Sequence, residues 1–112
     1  MNSKRKGSNG ERELCAYLAA AGFPAHRNEQ RYTGGRGNPD IDAEGLELLH
    51  IEVKRVEKLN ISAAMQQAEA DAVNRIPVVM HRRNREQWLI TLRLSDYLQS
   101  MGGAADGTQA EA

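Results

Sequence analysis

The stretch 38-NPDIDAEGLELLHIEVKR-55 has the pattern of two neighbouring β-strands joined by a short turn. Apolar and polar residues alternate in residues 40–44 and in most of residues 48–55, and this period of two is typical of strands with one buried face. Gly45 lies between the two runs, where a tight turn needs a flexible backbone. We therefore predict two adjacent antiparallel strands and place the remaining elements around them.

The length of the turn decides how the two strands pair. If Glu44 faces Leu48 across a three-residue loop, then Asp40 faces Glu52. Opposed Cβ atoms on antiparallel strands are about 4.5–5.5 Å apart, so the two carboxylates repel unless a cation with oxygen ligands, such as Mg²⁺, neutralises them. Lys54 follows on the same face and adds an ammonium that can orient water or stabilise phosphoryl charge. This combination favours phosphodiester hydrolysis with a divalent metal.

The rest of the chain predicts the element order αβββαββα and a mixed sheet, which is an α/β fold. The predicted elements around the two central strands are a helix at 10–21, a strand at 25–30, a helix at 62–75, strands at 77–82 and 87–92, and a helix at 94–101. Ser95 is a candidate cap for the last helix. The predicted organisation is a flexible basic arm at 1–7, one domain at 8–101 and a disordered tail at 102–112.

Composition limits the class of protein. The 112 residues suit one domain, and a hydrophobic share of 40% is normal for a globular fold. An aromatic share of 4% excludes a broad stacking platform for single-stranded nucleic acid. The single cysteine, Cys15, excludes an intrachain disulfide, and no apolar run approaches the ~18 residues of a membrane span. We therefore expect a soluble, cytoplasmic protein.

Charge is unevenly distributed although the net charge is zero. Residues 1–36 hold seven Lys and Arg against three acids, and such a positive end can bind phosphate. The glycine-rich loop at 33–38 lacks the Gly-Lys-Ser/Thr ending of a nucleotide-binding loop, which excludes ATP or GTP. The candidate cations for a nucleic-acid backbone lie in the arm, in this loop and in the turn at 83–86 or just before it: Lys4, Arg5, Lys6, Arg36, Arg82, Arg83 and Arg85.

Two motifs carry a family resemblance. Pro39-Asp40 followed by Glu52-Val53-Lys54 resembles the signature of the PD-(D/E)XK nuclease superfamily. The segment 6-KGSNGEREL-14, followed by Gly22-Phe23, resembles the start of archaeal-type Holliday junction resolvases and their phage relatives. The resemblance covers about residues 6–80 and implies a restriction-endonuclease-like αβββαβ core, in agreement with the order predicted above.

The resemblance also implies the roles of individual residues. The implied metal ligands are Glu11, Asp40, Glu52 and the carbonyl of Val53. The implied catalytic residues add Lys54 and a glutamine of the following helix, which is Gln67 or else Gln66. The implied metal is Mg²⁺, with Mn²⁺ as an alternative because oxygen ligands suit both.

Glu11 has a second interpretation, which the residues alone favour. Ser8-Asn9-Gly10-Glu11 has the spacing of a capping box, in which Ser8 caps the helix and Glu11 bonds back to it. Glu11 also continues the apolar stripe one turn upstream of Leu14, which directs it towards the sheet. The three histidines, on separate strands without metal-ligand spacing, are predicted to be structural or solvent-facing, with His50 able to border the site.

The expected function follows from these patterns and the resemblance. We expect an Mg²⁺-dependent endonuclease that hydrolyses DNA at branched structures, as a homodimer, in a bacterial or phage-infected cell. The first alternative is another nuclease of the superfamily, of the restriction or repair type. The second is a DNA-binding module that kept the fold without catalysis, and the intact Asp40, Glu52 and Lys54 oppose it.

Overall fold

The computed structural model describes residues 3–29 and 36–103, with side chains from residue 8 onwards. In this part of the chain the order is the predicted αβββαββα: α1 (Ser3–Ala20), β1 (Ala25–Arg27), β2 (Ile41–Ala43), β3 (Leu49–Lys54), α2 (Ile61–Asp71), β4 (Ile76–His81), β5 (Leu89–Leu92) and α3 (Leu94–Ser100). None of these helices is long and apolar enough to cross a membrane.

The five strands form one mixed sheet in the order β1-β2-β3-β4-β5. The β3–β4 pair is parallel and the other pairs are antiparallel, so α2 provides the crossover that a parallel pair requires. Ile41 pairs with Ile51, which is the register expected from a three-residue loop. The predicted register is therefore confirmed, and Asp40 and Glu52 occupy opposed positions on the two central strands.

The two faces of the sheet are covered differently. On one face α1 packs the buried Leu14 and Leu18 against Ile41, Ile51 and Val78. On the other face α2 places two small residues, Ala64 and Ala68, against Val79. Full burial of a Leu, Ile or Val side chain stabilises a fold by about 1.5–3 kcal/mol. The α1 face is the main core, and the α2 face leaves room for polar side chains beside the helix.

The first helix begins earlier than predicted. It starts at Ser3 instead of residue 10, so the backbone of residues 3–7 is helical. Lys and Arg are good helix formers and no proline interrupts this segment, which lets the helix extend upstream. Ser8 consequently lies inside α1 and cannot be its N-cap, so the capping-box interpretation of Ser8 and Glu11 is wrong.

Smaller differences occur at the ends of other elements. The N-cap of α3 is Arg93, without a side-chain cap, and Ser95 lies within the helix, so Ser95 is not the cap. The N-cap of α2 is Asn60, whose side chain accepts a hydrogen bond from Ala63 N at 3.0 Å. The last described residues, 101–103, follow α3. The rest of the predicted tail and residues 33–35 of the glycine-rich loop lie outside the described residues.

Candidate active site

The centre of the candidate site is a pair of carboxylates on the two central strands. Asp40 directly precedes β2, and its Oδ2 accepts a hydrogen bond of 2.8 Å from the backbone N–H of Val53. Glu52 in β3 is buried, with 5% of its surface exposed. Burial first, and then the neighbouring Glu52 carboxylate, raise the pKa of Asp40 to about 8, although the bond from Val53 lowers it in part. Asp40 therefore holds its proton at neutral pH while no metal is bound.

A divalent cation can take the place of the Asp40 proton. Two carboxylates that repel each other, one residue away from the carbonyl of Val53, form an oxygen donor set of the kind that Mg²⁺ and Mn²⁺ prefer. Residues 8–29 and 36–103 contain no group of three His, Cys, Asp or Glu side chains that could hold a metal ion. Two carboxylates suffice for Mg²⁺, which keeps several waters and takes phosphate oxygens of the substrate as further ligands. The donor set fits such an ion.

Glu11 lies near this pair, in an ion pair of its own. It is 6% exposed, and its Oε1 accepts a hydrogen bond of 2.9 Å from Nε of Arg27. Nη2 of Arg27 also donates to Ser8 Oγ at 3.0 Å. The Glu11 charge still contributes to the raised pKa of Asp40, as the smallest of its causes. Glu11 is thus close enough to influence Asp40, and its role as a metal ligand stays a prediction.

Arg27 is a residue that sequence reasoning missed. It lies on β1 opposite Ile41, and its side chain is 19% exposed. The available signal was strand alternation, which puts Arg27 on the same face as Ala25, away from the exposed His26. That pattern indicates an inward-facing cation, but only the packing of α1 identifies Glu11 as its partner.

Lys54 occupies the same face of β3 as Glu52, as the alternation predicted. It is partly buried and pairs in register with His81 of β4. Its ammonium makes no hydrogen bond or ion pair with another residue of the described chain. A cation without an internal partner, two residues from the carboxylate pair, can contact a phosphate that binds there.

The two glutamines of α2 are both exposed. Gln66 lies two residues from each of the buried Ala64 and Ala68, and residues two apart on a helix do not share a face. Gln67 lies three residues after Ala64, so it is closer to the side of α2 that contacts the sheet. The helical phase therefore favours Gln67, which stays a prediction as a catalytic residue.

His50 lies directly against the carboxylate pair. The residue is fully buried in β3, and its Nε2 is 2.8 Å from Oε1 of Glu52. The expectation that it borders the site is confirmed. The contact could have been anticipated from strand alternation, because residues 50 and 52 share a face.

Two of the three arginines that were predicted to contact DNA in the β4–β5 connection make internal contacts. Arg82 donates to Glu13 on α1 and to the carbonyl of Glu86. Arg83 forms two hydrogen bonds of 3.0 Å with the carboxylate of Glu86. Arg85 is exposed and has a positive φ of 64°, which turns the chain at the hairpin. Such exposed pairs are worth about 0–1 kcal/mol, so a phosphate can replace the carboxylate at little cost.

The other residues that were predicted to contact DNA are Arg36 and the amino-terminal cations. Nε of Arg36 donates to the carbonyl of Ala70 at 3.1 Å, which attaches the segment before Asp40 to the end of α2. The side chains of the amino-terminal cations, Lys4, Arg5 and Lys6, lie outside the described residues. The structure therefore places Arg36 beside α2, and its contact with phosphate stays a prediction.

Comparison with known proteins agrees with this site and fold. The 1.6 Å structure of Archaeoglobus fulgidus Hjc, a Holliday junction resolvase from an archaeal hyperthermophile, is similar, with a TM-score of 0.53 and 27% sequence identity over 73% of this chain and 72% of that chain. No curated protein sequence matches. The family model of the archaeal Holliday junction resolvase (Hjc) matches residues 2–96. The chain therefore belongs to the archaeal Holliday junction resolvase family, as its two sequence motifs predicted.

Proposed function

We propose that this chain is a divalent-metal-dependent endonuclease that cleaves phosphodiester bonds in four-way DNA junctions. The observation that carries the proposal is the pair of opposed carboxyl groups of Asp40 and Glu52, which Lys54 follows on β3. Membership of the archaeal Holliday junction resolvase family supports the junction as substrate. The pair destabilises the metal-free protein, and such a cost is expected at a functional site.

The residues that would hold the metal are Asp40, Glu52 and the carbonyl of Val53, with Glu11 as a further acid beside them. We propose Mg²⁺, with Mn²⁺ as the alternative. When bound, the metal polarises the scissile phosphate and lowers the pKa of a water molecule. The hydrogen bond from Val53 N–H to Asp40 Oδ2 holds this carboxyl group in place beside Glu52.

The remaining side chains act on the phosphate and the water. Lys54 would place its ammonium beside the phosphate and stabilise the negative charge that develops there. Gln67 would orient the attacking water from the α2 side. Arg27 donates a hydrogen bond to the nearby Glu11 and balances its negative charge beside the site.

DNA would be held through its backbone by the basic side chains outside the catalytic centre. The phosphates would be contacted by Arg85, by Arg82 and Arg83 after they exchange their carboxylate partners for phosphate, and by Arg36 and the amino-terminal cations. Such contacts give affinity without sequence preference and weaken as salt rises. Selectivity for a junction would come from its shape.

A homodimer would suit a four-way junction, whose two continuous strands are related by symmetry. The edge strand β5 and the helix α3 expose apolar side chains that a second copy would cover. In these two elements and at the C-cap of α3, the most exposed apolar residues are Leu89, Leu94 and Met101, at 55%, 69% and 68%. Such exposed apolar side chains would gain from burial against a second copy.

The test is cleavage of a labelled four-way junction and its matched linear duplex with Mg²⁺. We expect paired, symmetric nicks in the junction, reduced about 10²–10³-fold or more by Glu52→Ala and Lys54→Ala. Glu47→Ala, at an exposed acid in the β2–β3 turn, is the matched control and should cut like the wild type. Equal cutting of both substrates would identify another type of nuclease in the superfamily. Tight binding without cutting by the wild type would indicate a non-catalytic module.

A further inference from the structure

His50 is a buried polar residue. One of its ring nitrogens contacts the carboxylate pair, and the other makes no contact with it. Nε2 lies 2.8 Å from Glu52 Oε1, and both side chains are almost fully buried, at 1% and 6% exposure. Nδ1 is also buried and has no hydrogen-bond partner among the described residues. A buried histidine of this kind costs stability unless both nitrogens are satisfied, so packing alone is a poor reason for its presence.

The ring nitrogens have defined roles while Glu52 is ionised. A carboxylate only accepts hydrogen bonds, so Nε2 carries the proton and donates to Oε1. In the neutral ring Nδ1 is then an acceptor and requires a donor behind it. The bond holds Oε1 in place in a carboxylate that also interacts with Asp40.

The space behind His50 can supply that donor. A cavity of about 200 Å³ is lined by His50, Gly37, Val73, Asn74 and Arg75. The amide of Asn74, the guanidinium of Arg75 and water are all donors, and each water occupies about 30 Å³. The cavity therefore brings hydrogen-bond donors close to the buried His50.

One wall of this cavity is fixed by a separate set of contacts. Nη1 of Arg75 donates to Oδ1 of Asp42 at 3.1 Å, and Nδ2 of Asn28 donates to Oδ2 of the same carboxylate at 2.8 Å. Asp42 lies next to Ile41 on β2, in the register that places it opposite His50. Asp42 thus neutralises Arg75 and keeps this wall of the cavity in position.

We propose that His50 is a positioning residue that orients the Glu52 carboxylate for the metal through its Nε2–H. The inference rests on the proposed function, because it assumes that Glu52 is a metal ligand. Histidine here supports a ligating carboxylate from behind, and loss of such an outer contact costs metal affinity about 10–100-fold.

The experiment is calorimetric titration of the full-length chain with Mn²⁺ and Mg²⁺ in the absence of DNA. His50→Gln keeps an N–H donor at the position of Nε2, whereas His50→Asn retains a polar side chain that is too short to reach Glu52. His50→Leu retains buried volume and no donor. His26→Leu, at an exposed residue on β1, is the matched control. Urea unfolding in EDTA shows which variants fold.

We expect His50→Asn and His50→Leu to weaken metal binding about 10–100-fold and His50→Gln to bind close to the wild type. If His50→Leu does not fold, the difference between the Gln and Asn variants decides. Equal binding by all variants, or equal loss by Gln and Asn, would overturn the proposal while leaving the proposed function intact. A wild type that binds neither ion would overturn both.

Discussion

The carboxylate pair of Asp40 and Glu52 and the charged groups around the β4–β5 turn hold their charges in opposite ways. The pair is largely buried and of one sign, which raises the pKa of Asp40 to about 8. In the turn, Arg83 and Glu86 are of opposite sign and about half exposed, at 59% and 46% for their side chains. Buried charges of one sign cost free energy unless a cation joins them, whereas exposed opposite charges are nearly neutral to stability.

The Arg27–Glu11 pair lies between these extremes and gives the largest expected effect on stability. Arg27→Ala would leave Glu11, with 8% of its side chain exposed, without its cation beside Asp40. We expect a loss of about 3 kcal/mol in the free energy of unfolding, the lower end for breaking a buried pair. Urea unfolding measures it, and the double variant with Glu11→Gln should recover most of the loss. If Arg27→Ala lowered the free energy of unfolding by less than Arg83→Ala does, the Arg27–Glu11 pair would not be a stabilising buried pair.

The pH dependence of the metal-free protein tests the carboxylate pair itself. Because the folded-state pKa of Asp40 lies above its unfolded value, its stabilising proton is fully present below about pH 4 and is lost as the pH rises through about 8. In EDTA, the stability of the wild type relative to Asp40→Asn should fall over this window, by at most about 1.4 kcal/mol per pH unit.

Urea unfolding of the two proteins between pH 5 and 9 measures that difference, which isolates Asp40 from the other carboxyl groups. Adding Mn²⁺ at pH 8 should stabilise the wild type and leave Asp40→Asn almost unchanged, because the metal replaces the lost proton only where both carboxylates are present. Parallel pH profiles for wild type and variant would show that the pKa of Asp40 is not raised.

The smallest effect is expected at the turn. Arg83→Ala and Glu86→Ala should each change the free energy of unfolding by less than about 1 kcal/mol, because the pair is exposed. Arg83→Ala should also weaken junction binding and reduce its salt dependence, whereas Glu86→Ala should not weaken binding. Fluorescence anisotropy at several salt concentrations separates the two. If Arg83→Ala lost more stability than Arg27→Ala, the exposed pair would be the stronger of the two.

Local patterns in the sequence were sufficient for the element order and for the central register. The alternation in β2 and β3 and the three-residue loop between them placed Asp40 opposite Glu52, as the pairing of Ile41 with Ile51 confirms. These features depend on residues within a few positions of one another, so they are readable from the chain. The family motifs at the same residues carried the resemblance to the resolvases, which the family match confirms.

The tertiary structure decided which partner each charged or polar side chain has. Glu11 meets Arg27, and Arg82 meets Glu13 across 69 residues, only because α1 lies along the sheet. The same packing brings a Cβ added at Gly10 within 2.5 Å of Arg55 Cβ, so that this helical position requires glycine. The sequence by itself determined the strands, their register and the carboxylate pair, because backbone periodicity is local. Contacts between distant elements depend on how helices pack on the sheet, which no local pattern encodes.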